Sequence, residues 1–550
     1  MWDMNAMAAF LILGSWFFLK IAIAVSRWRT RRQHRVAKGS TVLGFFHPYC
    51  SGGGGGERLL WRAVHALSCL SRDEDEKERQ GWRRKAPPLH VLIYSGDVGV
   101  SAEKILSGVA RQFQIPLASL GTLPISLVPL RGRGLLDPAR YPTLTMLGQS
   151  VGSMILAAEA LFRSTPDVFV DTTGCAFSFP VAWLAGCTVG AYVHYPTIST
   201  DMLSRVRSQR PSYNNRSWIS SRVAVSRAKV LYYRAFAVLY GIAGSFASVV
   251  MVNSSWTRKH IAAVWRLSSP TVVFPPCDTA ELEKLPLNDG RRERYALSVG
   301  QFRPEKEHAL QVRALAALRS LSHTPKKSVD GVVNGMYPSF DDVRLVILGS
   351  CRNNDDRAVL AKTKALSVKL GLEDSVLFVV NCSFAELKEW LGRASVGLHT
   401  MWNEHFGIGV VEMMASGLVT IAHRSGGPEA DIIVPLPNGE ATGFLAETPE
   451  EYASAMALVF ASCNARNNGD VSEGMQAPQP GGEGWAEAGT GARAAAGAGA
   501  GALNGNVRPF STLDVRVAGR ESARRFSNEV FDRAFSHSFA DLLTRKRSIW

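Results

Sequence analysis

The sequence predicts an α/β protein made of two Rossmann-like, doubly wound domains that face a cleft. Two series of short apolar segments, each alternating with helical patterns, cover residues 39–285 and 286–463. Short buried strands that alternate with helices are typical of a parallel sheet covered on both faces. A length of 550 residues with 46% hydrophobic and 20% charged residues fits about two or three globular domains with large cores.

The first series forms the predicted N-terminal domain, residues 39–285. Helical patterns such as 59–70 and 147–162 separate its strands, and a charged run over 71–88 predicts a solvated insertion. The predicted strands are 40–46, 90–94, 168–171, 189–193 and 248–252.

The second series forms the predicted C-terminal domain, residues 286–463, with a small insertion over 323–339. A Gly- and Ala-rich stretch over 464–509 predicts a disordered insertion. Residues 510–550 follow as a closing helix, long enough to cross back to the first domain, and a basic tail. The predicted strands are 295–299, 343–348, 376–380, 395–399 and 418–422.

The N-terminus, residues 1–38, predicts a membrane anchor with a basic flank. Residues 6–25 are apolar except for Lys20 and are about long enough to span a bilayer. Arginines follow the segment, so the positive-inside rule places the rest of the chain in the cytosol. A cleaved signal peptide is the alternative, but it would carry its positive charge before the apolar core. Residues 235–252 also lack charge, and we interpret them as a helix followed by a strand.

The formal net charge of +15 indicates an anionic partner. No zinc-finger spacing and no RNP-like aromatic strand is present, so we predict no nucleic-acid partner. Phospholipid head groups and a diphosphate substrate account for the charge. The eight cysteines form no C-x-x-C pair, which favours a reducing compartment.

The most informative stretch is the Glu404-x7-Glu412 pair, with Phe406-Gly407-Ile408-Gly409 between the carboxylates. It follows predicted strand 395–399 and feeds a helix that starts near Ile408. In open parallel sheets, ligands bind at the carboxyl ends of the strands, and a helix N-terminus favours a phosphate. Two carboxylates beside a diphosphate need hydroxyl donors, which a nucleotide sugar supplies. Each glutamate alone would be an ordinary exposed residue.

Two further groups lie at strand ends. Arg303 and Lys306 come just after strand 295–299, where two cations could neutralise a diphosphate. A run of glycines that includes Gly54, Gly55 and Gly56 connects strand 40–46 to a helix and suits a phosphate or sugar beside the backbone. The alternative for these glycines is a flexible linker.

Together these features resemble the retaining glycosyltransferases of family 4, which have the GT-B fold. More closely, the chain is similar to the dolichol-linked oligosaccharide α-1,2-mannosyltransferases of N-glycan assembly, over roughly residues 41–461 and the C-terminal helix. The blocks that carry this resemblance are His47-Pro48-Tyr49-Cys50, Tyr94-Ser95-Gly96-Asp97, Asp171-Thr172-Thr173-Gly174, Tyr192-Val193-His194-Tyr195-Pro196, Met251-Val252-Asn253-Ser254 and Gln301-Phe302-Arg303-Pro304-Glu305-Lys306.

The resemblance implies an enzyme at the cytosolic face of the endoplasmic reticulum membrane. It implies transfer of mannose from GDP-mannose to Man3GlcNAc2-PP-dolichol, adding the fourth and fifth mannoses in α-1,2 linkage with retention. Other early mannosyltransferases of the pathway are expected partners. Ser51 and Gly52 stand where Asn-Ala is usual, and the insertions are longer than is typical, which affects loop geometry more than chemistry.

The resemblance also implies roles for individual residues. Glu404 would contact the transferred mannose and Glu412 the ribose, while Arg303 and Lys306 would hold the diphosphate. His194 would face the reaction centre. The remaining expected donor contacts are Phe406, Gly407, Ile408, Gly409, Gly54, Gly55 and Gly56, and the acceptor-side contacts are His47, Asp171 and Tyr195.

For the mechanism we favour a front-face displacement in which the leaving diphosphate takes the acceptor's proton, with no metal or cofactor. Glu404 as a covalent nucleophile is the alternative. The Asp73-Glu74-Asp75 run resembles an Asp-x-Asp metal site but lies in a charged block and not at a strand end. Two other functions stay open: a glycosyltransferase with another lipid acceptor, such as phosphatidylinositol or a sterol, and a catalytically silent membrane scaffold.

Overall fold

The computed structural model describes residues 4–79, 87–113, 115–116, 123–199, 202, 223–266, 269–287, 292–322, 325–327, 333–467 and 511–545. The chain divides into two compact units. The first is Met1–Pro276 with Glu529–Trp550, and the second is Cys277–Asn528. Residues 277–285, which we predicted in the first domain, fall in the second unit because Cys277 forms a β-bridge with Ser527.

The first unit contains a seven-stranded parallel sheet. All five predicted strands are present, each within one residue, and two short strands near its edges, β3 and β7, were missed. Its order is β3-β2-β1-β4-β5-β6-β7. The strands are β1 (Thr41–Phe46), β2 (Leu89–Ser95), β3 (Ile125–Pro129), β4 (Val168–Asp171), β5 (Thr188–Val193), β6 (Val249–Val252) and β7 (Thr271–Val272).

Helices cover both faces of this sheet. Neighbouring residues of β1 therefore pack into two different cores. Leu43 and Phe45 pack on one side and Val42 and Phe46 on the other. Helix α2 extends to Arg79, so part of the predicted 71–88 insertion is helical. The helices are α1 (Met4–Gln33), α2 (Gly55–Arg79), α3 (Ala102–Phe113), α4 (Thr145–Arg163), α5 (Ser178–Leu184), α6 (Val223–Gly244) and α7 (Ser255–Trp265).

The second unit contains a six-stranded parallel sheet of order β12-β11-β8-β13-β14-β15. The five predicted strands are present within two residues, and β15 was missed. An antiparallel pair, β9 with β10, occupies part of the predicted small insertion over 323–339. The strands are β8 (Glu293–Val299), β9 (Pro325–Lys327), β10 (Val333–Met336), β11 (Arg344–Gly349), β12 (Val376–Val380), β13 (Ala394–His399), β14 (Val419–His423) and β15 (Phe444–Ala446).

The predicted closing helix is two helices. The turn Arg524–Phe526 separates α14, in the second unit, from α15, whose phenylalanines are buried in the core of the first unit. From residue 468 on, the 464–509 insertion lies outside the described residues. The helices are α8 (Thr279–Leu282), α9 (His308–Leu321), α10 (Asn354–Lys369), α11 (Phe384–Arg393), α12 (Ile408–Ala415), α13 (Pro449–Asn467), α14 (Thr512–Ala523) and α15 (Asn528–Thr544).

The predicted anchor segment lies in one long helix, α1, whose basic end packs on the first unit. Arg31 Nη2 lies 2.7 Å from Asp167 Oδ2, which also accepts the Val42 N–H at 2.9 Å. Farther towards the N-terminus, Phe17 and Phe18 are 59% and 71% exposed. The membrane-spanning role of α1 stays a prediction.

One helix in the described part of the chain is long and apolar enough to span a membrane. Among the described residues this is Thr145–Arg163, although 39% of its most apolar stretch is buried, as in core helices of soluble proteins. The uncharged 235–252 segment is a helix followed by a strand, α6 and β6, as predicted.

Two half-buried arginines hold the C-terminal end of α12, the helix that carries Glu412. Arg520 donates from Nε to the Ala415 carbonyl at 2.9 Å, and Arg292 donates from Nη2 to the Ser416 carbonyl at 2.6 Å. A cation at a helix C-terminus satisfies its last carbonyls and complements its dipole. Gly417 follows with a left-handed φ of 79°, the conformation in which many helices end.

The substitution Arg520→Ala is expected to destabilise the second unit. It removes the donor from the carbonyls of Ala415, Glu283 and Leu285, at a cost of about 2–4 kcal/mol in the free energy of unfolding. The thermal unfolding midpoint should fall by several degrees. Arg357→Ala is the control, because Arg357 is exposed and its side chain bonds Asn354 on its own helix. Equal midpoints for both variants would refute this role of Arg520.

Candidate active site

The two central strands of the second sheet bring two predicted residues together. β8 and β13 are parallel neighbours, and the strand order reverses between them, since β11 and β12 lie on one side and β14 and β15 on the other. Such a switch point leaves a crevice at the carboxyl ends of the strands, where ligands bind. Lys306 follows β8 and Glu404 follows β13, and Lys306 Nζ lies 2.6 Å from Glu404 Oε2.

The turn that carries Lys306 is fixed through its backbone. Pro304–Lys306 form a 3₁₀ helix, and Glu307 after it has a left-handed φ of 51°. Thr400 Oγ1 donates to the Lys306 carbonyl at 2.8 Å and accepts from the buried Gln311 Nε2 at 2.9 Å. Because Thr400 directly follows β13, the two strand ends are tied together independently of the ion pair.

The Glu404 carboxylate is held in its ionised form. Burial alone would raise the pKa of this carboxyl, but the Lys306 ammonium and His399 outweigh burial and hold the pKa well below its usual range. His399 Nε2 lies 3.1 Å from the same Oε2. Within the described part of the chain both side-chain contacts are made to Oε2, which leaves Oε1 to accept from a ligand hydroxyl.

A segment that the sequence analysis missed braces the Glu404 loop. Ser425 Oγ, after β14, accepts the Asn403 N–H at 2.7 Å, and the Gly427 N–H donates to the Glu404 carbonyl at 2.7 Å. Gly426 has a φ of +66°, and a Cβ on it would lie 2.2 Å from the Glu404 carbonyl oxygen. Only glycine fits there. The signal available in the sequence was a Gly-Gly pair just beyond a predicted strand.

Helix α12 begins at Ile408, as predicted. Gly407 precedes it as the N-cap with a left-handed φ of 113°. Gly409 lies against the end of β8, since a Cβ there would be 3.7 Å from the Val299 carbonyl oxygen. Glu412 is half-buried one turn into the helix. The first turn of α12 therefore lines the same strand end that Lys306 follows.

Arg303 and Phe406 differ in how accessible they are to a ligand. Arg303 is 42% exposed, and the Glu305 carboxylate is 3.9 Å away. An accessible guanidinium at a strand end suits a diphosphate. Phe406 is buried and packs edge to face on Phe526 with ring centroids 5.3 Å apart. Its ring belongs to the core, so the predicted donor contact of Phe406 is limited to its backbone.

In the first sheet, as in the second, predicted site residues lie near the point where the strand order reverses. Its order reverses between β1 and β4, and His47, after β1, hydrogen-bonds through Nδ1 to Thr172 Oγ1 at 2.8 Å. His194, after β5, donates from Nε2 to the Thr172 carbonyl at 3.1 Å. A Cβ on Gly56 would lie 3.8 Å from each imidazole. The N-terminus of α2 therefore lies beside two of the predicted histidines.

The predicted glycine contacts are only partly available to an anion. The Gly54 N–H donates to Glu57 Oε2 at 2.9 Å, and α2 begins at Gly55. A glutamate in the first turn satisfies one backbone donor and opposes a second negative charge there. The predicted contact of a donor diphosphate with Gly54 therefore competes with Glu57.

The remaining acceptor-side residues differ in their accessibility. The fully buried Asp171 accepts from the Thr173 hydroxyl at 2.8 Å and the Gly174 N–H at 2.9 Å, and burial raises its pKa to about 6. This carboxylate holds the turn after β4, so the geometry does not support its predicted acceptor contact. Tyr195 is 53% exposed and can reach a ligand.

Solved structures with the same architecture show the fold. Sucrose-phosphate synthase from Thermosynechococcus elongatus superposes with a TM-score of 0.53 at 15% identity, covering 92% of this chain and 99% of that one. Anabaena HepE in complex with UDP and glucose superposes with a TM-score of 0.51 at 14% identity, covering 91% and 99%. The two parallel-sheet units have the GT-B fold, and residues 281–468 match the family described as Glycosyl transferases group 1. The protein is a glycosyltransferase.

Sequence comparison narrows the class to one family. Residues 40–265 match the family described as ALG11 mannosyltransferase N-terminus. GDP-Man:Man(3)GlcNAc(2)-PP-Dol alpha-1,2-mannosyltransferase of Mus musculus is 44% identical over 466 residues, 83% of this chain and 86% of the relative. The protein of the same name from Homo sapiens is 45% identical and covers 77% and 80%. The chain belongs to this family of mannosyltransferases.

The substitution Gly426→Ala is expected to lower transferase activity by at least about tenfold, because the new Cβ displaces the Glu404 backbone. Gly371→Ala is a matched control: Gly371 has the same φ of +66° in the same unit, but a Cβ there meets nothing within 4 Å. Initial rates of both purified variants measure the difference. If both lose activity equally, backbone strain explains the loss and the Glu404 contact does not.

Proposed function

We propose that this chain transfers mannose from GDP-mannose to Man3GlcNAc2-PP-dolichol and adds the fourth and fifth mannoses, both α-1,2-linked, with retention. The name of its relatives supports the donor and acceptor. The observation that carries the proposal is the Lys306–Glu404 contact of 2.6 Å at the switch point of the second sheet. A cation and an ionised carboxylate at that point provide partners for a phosphate and for sugar hydroxyls, respectively.

On the donor side, Lys306 and Arg303 contact the diphosphate, together with backbone N–H groups at the start of α12. Glu404 accepts from a mannose hydroxyl through Oε1, and Glu412 accepts from the ribose. Arg303 and Lys306 stand at the two ends of one short turn after β8, which allows both cations to serve the same diphosphate. Stabilising the charge that develops on the leaving diphosphate lowers the barrier to transfer.

The transfer breaks the bond between mannose C1 and the diphosphate oxygen and forms a bond from C1 to the acceptor hydroxyl oxygen. The acceptor proton passes to the leaving diphosphate oxygen on the same face, so configuration is retained. Glu404 is a poor candidate nucleophile, because Lys306 and His399 hold its pKa well below the usual range and a less basic carboxylate attacks carbon less readily. Positioning and electrostatic stabilisation then supply most of the catalysis.

On the acceptor side, His194 and the exposed Tyr195 line the place where the acceptor hydroxyl binds, and the buried His47 lies beside His194. Burial, and then the neighbouring His194, lower the pKa of His47 to about 3. A neutral imidazole can bond a hydroxyl without adding charge next to it. Asp171 supports this site indirectly by holding the turn that carries Thr172.

The enzyme is proposed to work at the cytosolic face of the endoplasmic reticulum membrane, where α1 anchors it in a single pass. Exposed apolar side chains on α1, among them Phe17, Phe18 and Val25, support this role. Arginines from residue 27 onward then lie on the cytosolic side. The lipid of the acceptor lies in the same bilayer, and other early mannosyltransferases of the pathway are proposed partners.

Detergent-solubilised protein, incubated with radiolabelled GDP-mannose and a synthetic lipid-linked Man3GlcNAc2 acceptor, is expected to extend the glycan by two mannoses that an α-1,2-mannosidase removes. Sizing the released glycan measures this. Parallel reactions contain phosphatidylinositol or a sterol instead. Label on those lipids alone would contradict the acceptor, and no label on any acceptor would favour a silent scaffold.

The same assay tests Glu404. For Glu404→Ala we expect the rate of mannose transfer to fall by about 10²–10⁴-fold. The exposed Glu440→Ala in the same unit is the control and should transfer at the wild-type rate. Comparable rates of transfer for both variants would show that Glu404 does not take part in transfer.

We expect EDTA to leave the rate of transfer unchanged, because Lys306 and Arg303 are proposed to neutralise the diphosphate without a metal. The described part of the chain contains no group of three or more His, Cys, Asp and Glu residues that could hold a metal ion. The rate is measured with and without EDTA after extensive dialysis. Inhibition that Mn²⁺ or Mg²⁺ reverses would overturn this part of the mechanism.

A further inference from the structure

His399, the last residue of β13, makes an unusual set of contacts. Its side chain is 7% exposed, and its Nε2 lies 3.1 Å from Glu404 Oε2. Its backbone carbonyl accepts from the Tyr452 hydroxyl at 2.8 Å. Its Nδ1 is buried and has no hydrogen-bond partner in the described part of the chain. The ring is therefore bonded on the Glu404 side and unsatisfied on the other.

The chemistry of this contact fixes the tautomer. An ionised carboxylate oxygen only accepts hydrogen bonds, so Nε2 carries the proton and donates it to Glu404. Burial lowers the pKa of His399, which leaves the ring neutral with Nδ1 as an unprotonated acceptor. A buried acceptor without a donor is unfavourable, and such groups in native structures call for an explanation. A histidine that served only to fill space would gain nothing over an apolar side chain.

We propose that His399 is a positioning residue for mannosyl transfer, an inference that rests on the proposed function. Its Nε2–H fixes the Glu404 carboxylate through Oε2, so that Oε1 is presented to a hydroxyl of the donor sugar. Lys306 contacts the same Oε2, but its ammonium is shared with the donor diphosphate. The His399 contact does not depend on the donor, and it keeps Glu404 in place while Lys306 binds phosphate.

Two substitutions separate the donated hydrogen bond from the volume of the ring. The amide nitrogen of Gln reaches the position of Nε2, whereas Leu fills space without a donor. We expect His399→Gln to keep kcat/KM within about threefold of wild type and His399→Leu to lose at least about tenfold, the usual value of a hydrogen bond to a charged group. Equal losses in both variants, at matched unfolding midpoints, would overturn the proposal.

A double-mutant cycle tests whether His399 acts through Glu404. The dissociation constant for GDP-mannose is measured in full-length protein for His399→Leu, Glu404→Ala and the double variant. We expect His399→Leu to weaken binding in the wild-type background and to have no further effect once Glu404 is absent. The same loss in both backgrounds would show that His399 acts independently of Glu404.

The two proposals fail in different ways in this experiment. Wild-type protein that does not bind GDP-mannose overturns the proposed function, and with it the role of His399. Suppose instead that wild-type protein binds GDP-mannose and transfers mannose, but His399→Leu weakens binding equally with and without Glu404. Only the role of His399 is then overturned.

Discussion

The candidate site depends on one interaction, the ion pair between Lys306 and Glu404 at the point where the strand order of the second sheet reverses. A carboxylate with 15% exposure stays ionised only if nearby donors and positive charge offset the loss of water. The surrounding structure meets that need. Thr400 and Gln311 hold the Lys306 turn, His399 donates to the carboxylate, and the segment after β14 fixes the Glu404 backbone.

The two units place their polar residues by the same geometric rule but with different electrostatics. In each sheet the side chains meet where the strand order reverses, between β8 and β13 in one and between β1 and β4 in the other. The second unit presents charges there, which suits an anionic donor. In the first unit the neutral imidazole of His47 is buried beside His194 and adds no charge where an uncharged acceptor hydroxyl is proposed to bind. This division is the physical basis for assigning the donor and the acceptor to separate units.

Most of the fold followed from the sequence, because buried parallel strands are short apolar runs that periodicity identifies. The ten predicted strands and the start of α12 at Ile408 were confirmed. Short edge strands such as β7 and β15 contain too few residues to show a pattern. The prediction of a single closing helix was wrong because a 3₁₀ turn at 524–526 divides it. The signal available in the sequence was Ser527-Asn528, two residue types that favour the start of a helix.

The site was predictable as residue types at strand ends, but its internal contacts were not. The contact between Lys306 and Glu404 required knowing that β8 and β13 are neighbours, which depends on the topology of the whole sheet. His399 was assigned to a strand, and nothing local in the sequence indicates that its ring reaches Glu404. Gly54 and Asp171 illustrate the opposite case, since the groups predicted to bind ligand already satisfy neighbouring backbone or side-chain partners.

The most direct test of the central claim is an experimental structure of the protein with GDP-mannose bound. The account predicts a Glu404 carboxylate oxygen within hydrogen-bond distance, about 2.6–3.2 Å, of a mannose hydroxyl, and Lys306 Nζ at a similar distance from a diphosphate oxygen. A complex in which GDP-mannose binds away from the ends of β8 and β13, with the Lys306–Glu404 pair untouched by the ligand, would contradict it.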